Sequence, residues 1–499
     1  MKLALSILFS FAFLTSTATI NIKGKIVPYR GHTDLAIQVP LAYSLHESDK
    51  QAMDVHTDGT FEINLPLTEQ KFAYLFIGDK KQLLWLKPNT SLELTINSTL
   101  HSVKAIHGNT KLENEMLQRL QLTSIPFFMQ SEGNNYPYSK ITPTGIQDSV
   151  VKPWLAERDK KLKMIRESKL DKADQDVLCA EISYHTLNHL SDFVLAIVRW
   201  KRPDWTNFIT QLYDTVAIQH PPLVKGIQYY LFVDRYTRYL FLKAMQAHQT
   251  DSTYHNKALP YLQVSWDSAM TLAKTNGEKY LAWLAIHHTF DQTTAAHYLA
   301  QQVLDQYRDG NLAQFTPFFA DFEHYFKQSA YYPMLRQYAN ELHEKLWSNR
   351  NNKAIEIFAG YDTIRSIYSV VKNLKGKVIY LDIWGTWCGP CKEEFRYLPR
   401  LKEQFEGKDV IFVYLDMDAD DKDDQWRDFI HVNEITGIHL RMDNEHIQSI
   451  WKELLPGQDK LHGRYPSYFI FDRQGKMVKG KVKRPSDKAA LYQQLEKYL

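Results

Sequence analysis

Two cysteines separated by two residues, Cys388-Gly389-Pro390-Cys391, carry the chemistry on offer in this 499-residue chain. Ahead of them lie the apolar positions Val378, Ile379, Leu381 and Ile383 and the segment Trp384-Gly385-Thr386-Trp387; a charged stretch with helical spacing follows. The pattern predicts a buried strand, a tight loop and a helix whose first turn carries both thiols. A thiol at a helix start sits in the positive field of the backbone, which favours thiolate over thiol. The thiolate is a nucleophile, and a cysteine three positions on can close a disulfide with it, which is thiol–disulfide exchange. Cys388, at the helix start where its sulfur can face solvent, is the expected attacker, and Cys391 the resolving cysteine. A CxxC is also half of a tetrahedral zinc site, but two more ligands would be required. The third cysteine, Cys179, falls in a different domain, so no metal is expected and Cys179 reads as a small buried hydrophobe.

Trp384 to Cys391 resembles the active-site signature of the thioredoxin superfamily, and the wider pattern resembles its secreted bacterial branch, the TlpA/ResA-like thiol–disulfide oxidoreductases. Asp382, Glu394 and the run Tyr465-Pro466-Ser467-Tyr468-Phe469-Ile470-Phe471-Asp472 carry the resemblance beyond the cysteines. It covers roughly the last 150 residues, the size of one domain. The resemblance implies that Asp382 is a buried aspartate beneath the cysteines, its pKa raised by desolvation so that it can take the Cys391 proton. The rival is a strand-end aspartate bonded to backbone. Glu394 occupies the glutamate position of the branch; an ordinary exposed helix glutamate is its rival. Pro466 resembles the superfamily's cis-proline, with no N–H to compete for the thiolate. The Tyr465 backbone would then pair with an extended substrate segment as an added strand does. Trp384 and Trp387 are expected to form an apolar rim for substrate, with core packing as the alternative. One departure is that family members often carry proline five residues after the second cysteine. Here Arg396 stands there and Pro399 follows, which leaves the helix-kink position open.

Gly389-Pro390 is the dipeptide of reducing thioredoxins, whose potential is about −270 mV, so the resemblance implies a reductase of disulfides in exported client proteins. It would be fed by an upstream thiol–disulfide electron donor, a membrane-held one among the options, and it implies no cofactor. A disulfide oxidase or isomerase would use the same cysteines. From a different class, an envelope interaction protein would carry the CxxC incidentally.

The chain is too long for one core, and three domains are expected. Its formal net charge of +3 gives no support for a nucleic-acid partner. Lys2, the apolar run Leu3 to Leu14 and Ser16-Thr17-Ala18 read as a signal peptide over 1–18, too short to span ~30 Å of hydrocarbon. An exported, periplasmic or cell-envelope location follows, with an uncleaved anchor as the alternative. The fold class expected is multidomain α+β. Residues 19–108 read as a β-sandwich-like antiparallel domain, from alternations such as Phe61, Ile63, Leu65 and Leu92, Leu94, Ile96. Residues 109–348 read as all-α, from faces such as Tyr229, Phe232, Val233, Tyr236 and Leu240, with Pro203 and Pro221-Pro222 as breaks. His185, His189, His287 and His288 lie here without a completing ligand and read as core or surface. After the polar linker Asn349 to Lys353, residues 353–499 read as an α/β thioredoxin-like domain. Its expected elements are a helix at Asp362–Lys372, strands at Val410–Leu415, Ser467–Phe471 and Met477–Val482, and a terminal helix at Ser486–Leu499. The acidic run Asp416 to Asp424 begins like a calcium loop, but Asp421 stands where glycine is needed and Arg427 where glutamate is needed. A solvated strand-to-helix loop is expected there.

Overall fold

Alternating apolar residues build the N-terminal sheets of this computed structural model, which describes residues 18–130, 138, 141–198, 204–214, 226–442, 446–457, 464–478 and 480–499. The leader before Ala18, Pro203 and Pro221-Pro222 lie outside the described residues. The chain divides into two compact units, one ending at Gln301 and one running Gln302–Leu499.

In the first unit, β1 (Thr19–Val27), β4 (Thr60–Pro66), β7 (Thr90–Asn97) and β8 (Ser102–Gly108) form one sheet in the order β4-β1-β7-β8. β2 (Leu35–Gln38), β3 (Lys50–Ala52), β5 (Lys71–Ile77) and β6 (Lys80–Leu86) form a second, β3-β2-β5-β6. Ile22, Leu92, Leu94 and Ile96 of one sheet and Leu75, Ile77 and Leu84 of the other share a single core. The expectation of purely antiparallel pairing is corrected at one place. β1 and β7 run parallel, Ile20 opposite Thr90 through Val27 opposite Asn97, because the five intervening strands return the chain in the same direction.

Helices follow: α1 (Lys111–Leu120), α2 (Pro143–Ile146), α3 (Lys152–Arg166), α4 (Lys172–Val198), α5 (Asp204–Asp214), α6 (Ile227–Thr250), α7 (Trp266–Asn276), α8 (Glu278–Thr289) and α9 (Gln292–Arg308). The predicted face Tyr229, Phe232, Val233, Tyr236 and Leu240 of α6 is buried throughout. His185 is buried against Trp154 with ring centroids 5.7 Å apart, and burial lowers its pKa to about 3. Cys179 is half-buried rather than enclosed, at the margin of the cluster containing Leu178 and Ile182.

The second unit contains α10 (Leu312–Phe326) and α11 (Tyr332–Asn349) as well as the C-terminal sheet. The compact division therefore falls ahead of the linker at which the sequence pattern suggests a boundary. Both helices pack on α15 (Asp423–Val432) of the α/β portion. Here β9 (Ile355–Ile357), β10 (Val378–Trp384), β11 (Val410–Asp416), β12 (Gly437–Arg441) and β13 (Ser467–Phe471) form a sheet ordered β13-β10-β11-β12-β9. β10 is parallel to β11 and antiparallel to β13.

Every residue of β10 is buried, as a near-continuous apolar run in a covered central strand requires. Its odd-numbered residues Ile379, Leu381 and Ile383 pack with α12 (Ile367–Asn373) and α16 (Ile447–Leu454). Its even-numbered residues face the layer of α13 (Gly389–Phe395), α14 (Leu398–Gln404), α15 and α17 (Ala489–Glu496). The expected helix at Asp362–Lys372 is a 3₁₀ turn, Tyr361–Thr363, followed by α12, and the terminal helix is shorter than expected because Pro485–Asp487 forms its own 3₁₀ turn. No strand forms at Met477–Val482 among the described residues; one bridge joins Phe471 and Met477, and the peptide N–H of Val478 donates to the Ile470 carbonyl.

Leu381 has no solvent exposure, at the centre of the middle strand. Leu381→Ala is expected to cost about 2–5 kcal/mol through lost burial and the remaining cavity, read as a lower denaturant midpoint for the C-terminal unit.

Candidate active site

The loop between β10 and α13 carries the cysteines out of the sheet. Cys388 is the N-cap of α13, with extended backbone, and its sulfur accepts the Cys391 N–H at 3.2 Å. Pro390 occupies the first turn, where its missing N–H has no intrahelical partner to lose. The two cysteines form a disulfide with Cα atoms 5.3 Å apart. Cys388 keeps 4% of its surface exposed and Cys391 none, so whatever access there is leads to Cys388. The helix breaks after Phe395, and Pro399 lies in the first turn of α14. The kink thus falls between two short helices, with proline opening the second.

On the even-numbered face of β10, the face that meets the layer of α13, stands Asp382. It is fully enclosed, and neither carboxyl oxygen has a hydrogen-bond partner among the described residues. The strand-end alternative, a carboxylate bonded to backbone, is not what is found. Burial holds its pKa well above the usual carboxylate range, and the neighbouring Glu394 carboxyl adds to the rise. Glu394 is not the exposed helix glutamate of the alternative reading. It is buried and accepts from the Ser486 N–H and hydroxyl, both at 2.9 Å, with Arg484 at 3.9 Å.

The Tyr465–Pro466 peptide is cis. Trp387 is exposed and meets Tyr465 edge to face, ring centroids 5.2 Å apart. The structure therefore sets Trp387, the neighbour of Cys388 in the loop, against Tyr465, the neighbour of the buried Pro466. Trp384 is the correction: it is fully buried, packed on Phe395 at 4.9 Å and Phe429 at 5.5 Å. As the last residue of β10 on the helix-facing side it belongs to the core, and no rim position is open to it.

Sequence reasoning missed what holds the loop. Asp418 accepts from the Thr386 N–H at 2.9 Å and from the Thr386 hydroxyl. A Cβ on Gly385 would lie 2.7 Å from the Trp387 indole nitrogen and 3.1 Å from the Asp418 carboxylate, so a larger residue there would push the Trp387 ring and the Asp418 carboxylate aside. Asp416 is completely buried, with Arg441 at 3.4 Å, and Arg441 also donates to the Asp418 and Ala419 carbonyls. The expected solvated acidic loop is thus buried in its first half, where Asp416 and Asp418 brace the cysteine loop. The signal was present: the alternation Phe412, Tyr414, Asp416, Asp418 carries both aspartates onto the face of β11 that meets α13. Burial raises the pKa of both acids, while the Thr386 hydrogen bonds pull Asp418 back down.

Residues 358–495 match the family model described as Redoxin. Thiol-disulfide oxidoreductase ResA of Bacillus thuringiensis (strain Al Hakam) is 32% identical over 113 residues, covering 22% of this chain and 56% of that protein. ResA of Bacillus thuringiensis subsp. konkukian is 29% identical over 130 residues, covering 26% and 65%. The chain thus spans between about half and two thirds of the length of these curated relatives. The crystal structure of the thioredoxin domain of a thiol-disulfide oxidoreductase from Bacteroides vulgatus is similar over 26% of this chain and 82% of that one, at 21% identity and TM-score 0.22.

A carboxyl whose folded pKa is raised contributes stability that is full below its unfolded pKa of about 3.9 and is lost as pH rises through the folded value. Asp382→Asn is therefore expected to raise the melting temperature at neutral and alkaline pH. The gain should shrink on acidification and vanish below about pH 4, as thermal scans from pH 3 to 9 would show.

Proposed function

With its C-terminal domain a TlpA/ResA-like member of the thioredoxin superfamily, we propose that this chain is a thiol–disulfide oxidoreductase that reduces disulfides of exported client proteins through Cys388 and Cys391. One observation carries the reading: the cysteine pair opens α13, and on the face of β10 that meets this helix layer stands a buried carboxyl with no hydrogen-bond partner among the described residues. A helix start favours the Cys388 thiolate, and a carboxyl with a raised pKa is matched to hold and return the Cys391 proton near neutral pH.

The cycle runs from the dithiol. The Cys388 thiolate attacks one sulfur of the client disulfide, which breaks and leaves a mixed disulfide. Cys391 then gives its proton to Asp382, and its sulfur attacks Cys388. The mixed disulfide breaks, the client leaves with its second thiol, and the enzyme is left oxidised by two electrons. An upstream dithiol donor returns those electrons. Exposed Trp387 and half-buried Tyr465 offer an apolar contact for the client, and the Tyr465–Pro466 backbone offers an edge along which an extended segment can lie. The apolar leader at Leu3 to Leu14 supports action outside the cytoplasm.

Cys391→Ser is expected to accumulate a mixed disulfide through Cys388 with a disulfide-containing probe such as insulin, visible by non-reducing electrophoresis, while Cys388→Ser accumulates none. Equilibration of the wild-type pair in thiol buffers is expected to give about −250 mV or lower. A value near −120 mV, about that of a strong oxidant, would make the chain an oxidase. Absence of a reversible couple would remove the enzyme reading.

A further inference from the structure

The strand register sets four titratable side chains side by side on the sheet face beneath α13. Asp382 on β10 lies opposite Tyr468 on β13 and Tyr414 on β11, and Tyr414 lies opposite His439 on β12. All four are buried, and the Tyr414 and His439 rings stack with centroids 5.0 Å apart. Both oxygens of Asp382, the hydroxyls of Tyr414 and Tyr468, and Nδ1 of His439 have no protein hydrogen-bond partner among the described residues. Buried polar atoms are partnered in the great majority of cases, and phenylalanine would fill either tyrosine site without leaving a buried hydroxyl. Neighbouring unpartnered groups of this kind form the polar lining that buried water requires, about three hydrogen bonds to each molecule.

The surroundings fix the protonation states in this row. Burial drives Tyr414 and Tyr468 well above the usual phenol range, and the nearby Asp382 carboxyl adds to both, so both remain O–H donors. Burial lowers His439 to about 3, leaving it neutral, with its Nε2 on the Ile435 carbonyl at 2.6 Å. From α14, Lys402 lies over the Tyr414 ring at 5.2 Å, its pKa lowered to about 7 by burial. Tyr380, next along β10, is committed to the Lys483 carbonyl at 2.9 Å. On the far side, the Glu394 carboxyl of α13 acts on Asp382 and Tyr468, and it is fastened at Ser486 beside exposed Arg484.

We propose that Tyr414 and Tyr468 are positioning residues that hold ordered water against the Asp382 carboxyl, and that this water carries the Cys391 proton onward to Glu394 and the surface at Arg484. The inference rests on the oxidoreductase reading and completes its proton balance. In the release step the Cys391 S–H proton passes to Asp382, the Cys391 sulfur electron pair forms the bond to Cys388, and the pair of the broken mixed disulfide leaves on the client sulfur. The proton on Asp382 has no protein hydrogen-bond acceptor among the described residues, so it leaves through the water that the two hydroxyls hold.

The test uses the full chain with Tyr414→Phe, Tyr468→Phe and the double variant. Glutathione disulfide is the oxidant probe, and resolution of the mixed disulfide is followed across pH by tryptophan fluorescence. Losing the donors destabilises the charged carboxylate, so the midpoint in the double variant should rise by about one pH unit, roughly tenfold slower resolution at neutral pH. The melting temperature should be unchanged or higher, since an unpartnered buried hydroxyl is removed. A pH profile superimposable on wild type overturns the proposal. A second readout needs no turnover: the infrared carbonyl stretch of protonated Asp382, assigned by its absence in Asp382→Asn, should move to higher frequency in the double variant. An unmoved band overturns the positioning role by itself, whereas failure of the wild type to react with any disulfide sinks the oxidoreductase reading separately.

Discussion

The cost of enclosing a carboxyl in a strand with no polar relief governs the C-terminal half of this protein. β10 is buried at every position, and in its middle stands one acid whose oxygens meet no donor among the described residues. Charging such a group in a medium of low polarity is unfavourable, so it holds a proton more tightly than a free carboxyl does. A group that can take up and hold a proton is thereby set on the sheet face that meets the cysteine helix. The apolar half of the strand gives the sheet its stability, and the other half gives it a chemically useful instability. Both faces are required: Ile379, Leu381 and Ile383 pack on α12 and α16, and Val378, Tyr380 and Trp384 pack on the opposite layer, on the side that carries Asp382.

A second acidic element serves geometry rather than proton transfer. Asp416 and Asp418 extend the alternation of β11 beyond the strand, and Arg441 from β12 neutralises them and pins the backbone that follows. Their common effect is on Thr386, and through it on the loop that presents Cys388. The active-site loop is thus suspended between two strands of its own sheet. At Gly385 it passes so close to the Trp387 and Asp418 side chains that a Cβ there would displace them. On the other side, Lys392 of the active-site helix pairs with Asp309, and Asn433 donates to the Gly310 carbonyl at 3.2 Å. The start of the redox helix is therefore braced from the segment that precedes α10.

Much of this was legible in the order of residues, and the limits have physical causes. The run Val378 to Ile383 reads as a covered strand because nothing polar interrupts it except Asp382, and Leu92, Leu94 and Ile96 read as an inward face because their alternation is strict; all three are wholly buried. β12 was not legible, since His439 and Arg441 disguise a buried strand as a polar segment, and β9 is only Ile355–Ile357. Pairing partners are not local properties, so the parallel β1–β7 ladder could not be read from either strand alone. Trp384 looked like a surface aromatic beside a reactive motif, but its depth is set by Phe429 on a helix forty-odd positions away in sequence. Among the site residues, motif and spacing located the thiols and the acid beneath them, while the groups that orient the loop lay in a stretch whose charge suggested solvent.

The sheet ends at β13, and the segment after its turn adds one bridge in place of another strand. An exposed strand edge is a template on which a second chain can assemble. In the segment that follows this strand's turn, Lys476, Lys481 and Lys483 are exposed. Two molecules approaching edge to edge would bring these cations together, and the repulsion acts over a screening length of about 8 Å at physiological ionic strength. Rising ionic strength shortens that screening length, so the repulsion that keeps copies of the chain apart is weakest in concentrated salt.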